Sequence, residues 1–255
     1  MNRKRMVLIL ALLFVTTTAL GLDVRRESSG SESAPLPQAT PPDLTEPIAT
    51  DYDAAEPIDL AEREKRKRTN QRYDKEGWVQ KNVHPETGMI GRHTEQEPPP
   101  TLPTEESDLI VTGRVVGVST HLSNDKSGVY SEYRIKVEEI MKNRLSVDLA
   151  AGRLVTIDRA GGAVRYPHGQ TVIYKHNDKD LPERGREYVL FLKNDKNSEN
   201  YLVITIYELR ATNTVPLDHG RDVDDIKRMG KSEFVNSIRE KVSGPDTDES
   251  MKRKQ

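Results

Sequence analysis

The chain has no cysteine in its 255 residues. Disulfides, a Cys-ligated metal, a thiol nucleophile and a lipid-modified cysteine are all excluded. Aromatic residues are few, at 5%, with a single tryptophan, and only 34% of residues are hydrophobic against 31% charged. A mean hydropathy of -0.73 means that part of the chain cannot sustain a core. A charge of one sign is also missing. The formal net charge is -2, too small to give a field that steers a polyanion or a polycation.

What apolar sequence there is falls in two regions, Met6 to Leu22 and about Leu109 to Leu217. In the first, the basic Asn2-Arg3-Lys4-Arg5 precedes the apolar run Met6 to Val15, and Thr16-Thr17-Thr18 breaks it. Ala19 and Gly21 then supply small residues at the spacing a signal peptidase reads. This order predicts a signal peptide over residues 1–21 and a secreted or periplasmic protein with no membrane span after cleavage. An uncleaved anchor over Met6 to Leu22 is the alternative, at the bottom of the spanning length.

Residues 22–104 read as a linker. Pro35, Pro37, Pro41, Pro42 and Pro47 punctuate a Ser-, Thr- and acid-rich stretch, and Pro98-Pro99-Pro100 and Pro103 mark a second extended piece. Such composition predicts a disordered spacer. Inside it, residues 58–75 hold helix formers without Gly or Pro, and Asp59 can cap them. The Lys65-Arg66-Lys67-Arg68 run there is either a solvated helix face or a basic arm for a polyanion or membrane surface. Trp78 is expected to dock this arm onto the β-rich module that begins near residue 105.

Residues 105–220 carry the core-forming module. Asp108 to Val118 is rich in β-branched residues, and Gly113 and Gly117 within it predict a bent or bulged strand. After the turn-forming Ser123 to Gly128, Tyr133, Ile135 and Val137 alternate with charged residues, which predicts a half-buried strand ending near Val137. Leu154 to Arg159, a return strand from Val164 to Tyr174 broken at Pro167-His168-Gly169, Glu187 to Lys193 and Tyr201 to Arg210 complete the set. Five or six strands without βαβ spacing predict a mainly β fold, a small antiparallel barrel of OB-like type, with a two-sheet sandwich as the alternative. A helical segment is expected over 221–243. Ser232 is its expected cap and Phe234, Val235, Ile238 and Val242 its buried side, with a disordered tail over 244–255.

Leu109-Ile-Val-Thr-Gly-Arg-Val, Val129-Tyr-Ser-Glu-Tyr, Arg186-Glu-Tyr-Val-Leu-Phe-Leu and Tyr207-Glu-Leu together resemble uncharacterised exported bacterial proteins. These in turn look like the OB-fold barrel of netrin and metalloproteinase-inhibitor modules. The resemblance implies a barrel scaffold over about 110 residues. It does not bring zinc-chelating inhibition with it, because that depends on a cysteine absent here. The family's helix between the third and fourth barrel strands is also missing from the short, polar Lys175 to Gly185.

No catalytic constellation is evident. His84, His93, His121, His168, His176 and His219 are scattered, and none falls at metal-site spacing, so no metal and no cofactor is expected. Glu138 and Glu139 point to opposite faces of a strand. Nucleophile-turn and phosphate-loop motifs are absent. Basic and acidic side chains of 108–218 are nearly equal in number, which disfavours nucleic acid. The one local cluster is Arg159, Arg165, Tyr166 and His168 around Gly161-Gly162, read either as an ordinary hairpin or as a surface for an anionic or carbohydrate ligand. The expectation is therefore a non-enzymatic binding or interaction module for such a ligand or for a protein, in no particular oligomeric state. An envelope enzyme whose site assembles from distant residues is the alternative.

Overall fold

The computed structural model describes residues 48–79, 88–92, 101–145, 148–195, 200–219 and 223–244. The signal-peptide reading of 1–21 and most of the tail lie outside them. In chain order the elements are β1 (Ala49–Asp51), α1 (Leu60–Gln71), β2 (Met89–Arg92), β3 (Leu109–Leu122), β4 (Val129–Asn143) and β5 (Leu154–Ala160). They continue with β6 (Gly162–Arg165), β7 (Thr171–His176), β8 (Glu187–Asn194), β9 (Tyr201–Leu209), β10 (Thr214–Pro216), α2 (Asp224–Arg228) and α3 (Lys231–Val242). Among the described residues no helix is long and apolar enough to cross a membrane.

Five of the strands close on themselves. β3 pairs with β4, β4 with β5, β9 with β8 and β8 with β3, all antiparallel. A short parallel seam, Ile157 with Tyr201 and Asp158 with Leu202, joins β5 to β9 and completes the ring. This is the closed, mainly β barrel expected, with one parallel seam in place of an all-antiparallel one, and the sandwich alternative falls away. Val111, Val115, Tyr133, Ile135, Ile157, Leu190 and Ile206 fill the barrel. β3 can wrap through two pairings because Gly113 lets the chains cross closely: a Cβ there would lie 2.6 Å from the Ile135 side chain and 2.7 Å from the Lys136 carbonyl.

β3, β8 and β9 read as nearly continuous apolar runs because both of their faces are covered. Ile110, Val189, Phe191 and Tyr207 point outward into a second cluster under Phe234, Val235 and Ile238 of α3. β4 runs on to Asn143 where the alternation predicted an end near Val137. Register shifts against β3 swing Ile140 into the barrel cluster and Met141 into the helix-covered one, so helix-like spacing arises from a bulged strand. α3 starts at Lys231, with Gly230 as its N-cap and no side-chain cap bond, in place of the expected Ser232. A side chain at Gly230 would meet the Ala211 carbonyl at 2.8 Å, so the close approach to the β9–β10 turn decides that residue.

The spacer reading of 22–104 needs correction over 48–79 and 88–92. β1 pairs in parallel with β6, and β2 pairs in parallel with β7, making a second, four-stranded sheet. Trp78 and Val79 are buried in a third cluster with Val164, Val172 and Tyr174. The helix expected over 58–75 is present as α1, and the Asp59 carboxylate accepts the Ala61 amide at 3.0 Å. These pieces lack apolar residues for a core of their own. They are ordered by borrowing strand edges and the outer barrel wall, which composition cannot register.

Candidate binding site

β3, β4 and β5 present one polar face to the arm. In the register, His121 lies opposite Tyr130, and Glu132 lies directly opposite Asp158. With side chains alternating along each strand, His121, Tyr130, Glu132 and Asp158 share that face. Two carboxylates directly opposite repel each other. The fold offsets this with groups brought from elsewhere.

From the end of α1, Arg72 reaches the Asp158 carboxylate at 2.9 Å and Asp195 at 3.3 Å. The Tyr73 hydroxyl donates to Asp158 at 2.7 Å, and its ring stacks on Tyr130 at 4.4 Å between centroids. The Tyr130 hydroxyl donates to Asn70 Oδ1 at 2.5 Å. Glu132 accepts from Asn200 at 2.8 Å and stands 3.4 Å from His121 Nε2.

Electrostatics separates the two acids. Burial raises the Asp158 carboxyl above its usual range, only partly offset by Arg72 and Tyr73. Burial also opposes ionisation of Glu132, but contacts with His121 and Asn200 outweigh it and hold the carboxyl below its usual range. The Tyr73 phenol is pushed well up, by burial first and by Asp158 next. At neutral pH it is a hydrogen-bond donor and not a nucleophile.

Where α1 departs from this face, a cavity of about 300 Å3 opens between residues 50–57, the helix and the Ser123–Gly128 turn. Arg63, Arg66, Lys67 and Lys126 stand around it, with Asn70 and His121 also lining it. Acidic groups are present as well, and two are engaged: Glu56 pairs with Arg63 at 3.3 Å and Asp51 faces Arg165 at 3.6 Å. Arg66 pairs with Glu62 at 2.8 Å on the helix surface. The turn that forms one wall is held by Asp125, which accepts from Ser123 Oγ, the Ser127 amide and the Lys75 amide. It seats tightly on the arm, since a Cβ at Gly128 would lie 2.2 Å from the Tyr73 carbonyl.

The four residues singled out from sequence do not converge. Arg159 is 5% exposed; its guanidinium donates to Asp218 at 2.9 Å and to the Leu217 carbonyl at 3.0 Å. Tyr166 is also buried, its hydroxyl 2.6 Å from that of Tyr174 and its ring stacked on Tyr52. Arg165 and His168 are exposed, Arg165 near the cavity edge through Asp51 and His168 stacked beside Tyr166. The glycine turn is not open to a ligand either. A Cβ at Gly161 would meet the Tyr174 carbonyl at 2.9 Å, and one at Gly162 the Thr120 side chain at 2.5 Å. Arg159 and Asp158 are neighbours on one strand and so face opposite ways, a consequence that proximity in sequence hides.

The histidines, scattered in the sequence, fall into distinct environments. His176 is buried against Trp78 at 4.8 Å between ring centroids, and burial lowers it to about 4. His121 is paired with Glu132, and His219 with Asp180 at 2.8 Å. His84 and His93 lie outside the described residues. Among the described residues no three His, Asp or Glu side chains form a group able to hold a metal ion. His121, Glu132, Asp158 and Arg72 escaped sequence reasoning because each looks like the solvated face of its own element. Only pairing register and the docked arm bring them together. No known family model matches this chain, and no curated protein matches it.

Proposed function

We propose that the protein is an exported, non-enzymatic binding module whose site is the cavity between the arm and the barrel. The observation that supports this most is the set of four cationic side chains, Arg63, Arg66, Lys67 and Lys126, around a space of about 300 Å3. That volume lies at the low end of small-ligand pockets. It suits a small anionic or carbohydrate ligand and not a polymer. The barrel's own carboxylates hold the arm in place and are spent on structure, which favours binding over catalysis. The closed five-stranded barrel also agrees with the resemblance to exported OB-fold modules. Nucleic acid is not proposed, given the balance of acidic and basic residues in the barrel.

Calorimetric titration of the mature chain with glucuronate, glucose 6-sulfate and glucose tests this reading. Arg66→Ala combined with Lys67→Ala is expected to weaken binding of the charged probes at least about tenfold, because each charge-assisted contact contributes roughly 1.5–3 kcal/mol. Thermal stability should hold, since surface substitutions usually stay within about 0.5 kcal/mol. Failure of all three probes to bind, or unchanged affinity in the double variant, overturns the site.

Export is tested separately. Mass spectrometry of the protein recovered from outside the cytoplasm is expected to find Leu22 at or near the N-terminus. An intact Met1 to Gly21 segment defeats that expectation.

A further inference from the structure

Resting on the cavity reading, we infer that the cavity takes a small oxyanion-bearing ligand, a carboxylate or a sulfate, and that its binding is coupled to protonation of His121.

The geometry places one titratable group between opposing fields. His121 lines the cavity, and its side chain is only 11% exposed. Behind it, Glu132 Oε2 lies 3.4 Å from Nε2, within ion-pair range but without hydrogen-bond geometry, and the Tyr130 ring lies 5.3 Å away. Glu132 is ionised, fixed on its other oxygen by Asn200. From β4, then, a carboxylate favours imidazolium. In front, α1 contributes Lys67 together with Arg63 and Arg66, which are paired with Glu56 and Glu62, and the hairpin turn contributes Lys126, 3.8 Å from Asp53. Each cation opposes it, the three paired ones less than Lys67, and Lys65 of α1 acts on Glu132 in turn. Asp51 and Glu56 belong to pairs already formed, and Glu64 completes the charged groups of the lining. Further back, the charge of Asp158 is offset by its pair with Arg72 and its hydrogen bond from Tyr73.

In the empty cavity the cationic rim and Glu132 pull the imidazole in opposite directions. An oxyanion seated among Arg66, Lys67 and Asn70 neutralises the rim and leaves Glu132 unopposed, so the protonated ring is favoured in the bound state. By linkage, the affinity for an anion rises as pH falls through the histidine range. The other charged groups lining the cavity are carboxylates, lysines and arginines, which ordinarily titrate outside that range. A neutral sugar gains nothing from the proton.

The test compares glucuronate, glucose 6-sulfate and glucose at about pH 7.5 and about pH 5.5, where both anionic probes keep constant charge. The expected result is an affinity gain of about fivefold or more at the lower pH for an anionic probe, with glucose unchanged and the gain lost in His121→Gln; a one-unit shift in the histidine on binding corresponds to at most about tenfold. Which anion shows the gain tells carboxylate from sulfate recognition. Binding with a flat pH profile overturns this inference and leaves the cavity reading standing, whereas absence of binding at both pH values removes the cavity reading itself. Should His121→Gln unfold, the imidazole titration of His121 followed by NMR in the unaltered chain decides. An upward shift of its midpoint on adding glucuronate is expected, and an unmoved midpoint overturns the inference.

Discussion

Arg159→Ala is expected to destabilise the fold by about 3–5 kcal/mol, the cost of leaving a buried partner charge uncompensated. Arg159 and Asp218 are both nearly inaccessible, with side chains 5% and 8% exposed. The Asp218 carboxylate also accepts from the Thr205 hydroxyl at 3.0 Å and from the Ile206 amide at 3.2 Å, and Arg159 caps the Leu217 carbonyl. The pair thus pins the segment after β10 to the inner wall of β5 and β9. Urea denaturation at neutral pH measures the loss. Adding Asp218→Asn should recover part of it, because the stranded charge goes while an acceptor for Thr205 remains. A cost within about 0.5 kcal/mol, that of an ordinary surface residue, would refute the buried role.

The second large effect lies at the arm. Arg72→Ala removes the only guanidinium that reaches Asp158 among the described residues, while Glu132 still sits directly opposite it. Arg72 keeps 24% of its side chain exposed, so the expected loss at neutral pH is somewhat smaller, about 2–4 kcal/mol. Its pH dependence is the sharper signature. Burial already raises the Asp158 carboxyl, and without Arg72 it rises further. A folded-state value above the unfolded one gives stability that is present at low pH and lost as pH rises through the folded value. The gap between Arg72→Ala and the unaltered protein should therefore be small near pH 4 and widen towards pH 7. The double change Arg72→Ala with Asp158→Asn should narrow it at neutral pH. A gap that is constant across this range would mean that the lost packing of the arm, and not the stranded carboxylate, sets the cost.

Much of the barrel was legible in the chain. Alternation in Tyr133, Ile135 and Val137, the apolar Glu187 to Lys193 and the bend at Gly113 each report a local environment, and each is found where expected. The capping of α1 by Asp59 and the docking of Trp78 were legible for the same reason. The candidate site was not. A single strand's pattern says which residues share a face, but not which strand lies beside it or what covers it. Asp158 reads as a solvated acid until β4 sets Glu132 against it and α1 delivers Arg72. Arg159, one residue on, reads as an exposed ligand-binding group until the chain returns Asp218 to it from fifty-nine residues away.

Composition and periodicity were enough to exclude cysteine chemistry and to locate a β-rich core between Leu109 and Leu217, because burial of apolar area follows local sequence. Whether a charged side chain is solvated, paired or part of a site depends on groups distant in the chain, and the field at such a residue is a sum over its neighbours in space. The tertiary structure therefore decided three things: that Arg159 and Tyr166 are interior, that residues 48–79 are built onto the second sheet and the outside of the barrel, and that His121 looks onto a cavity with Glu132 at its back.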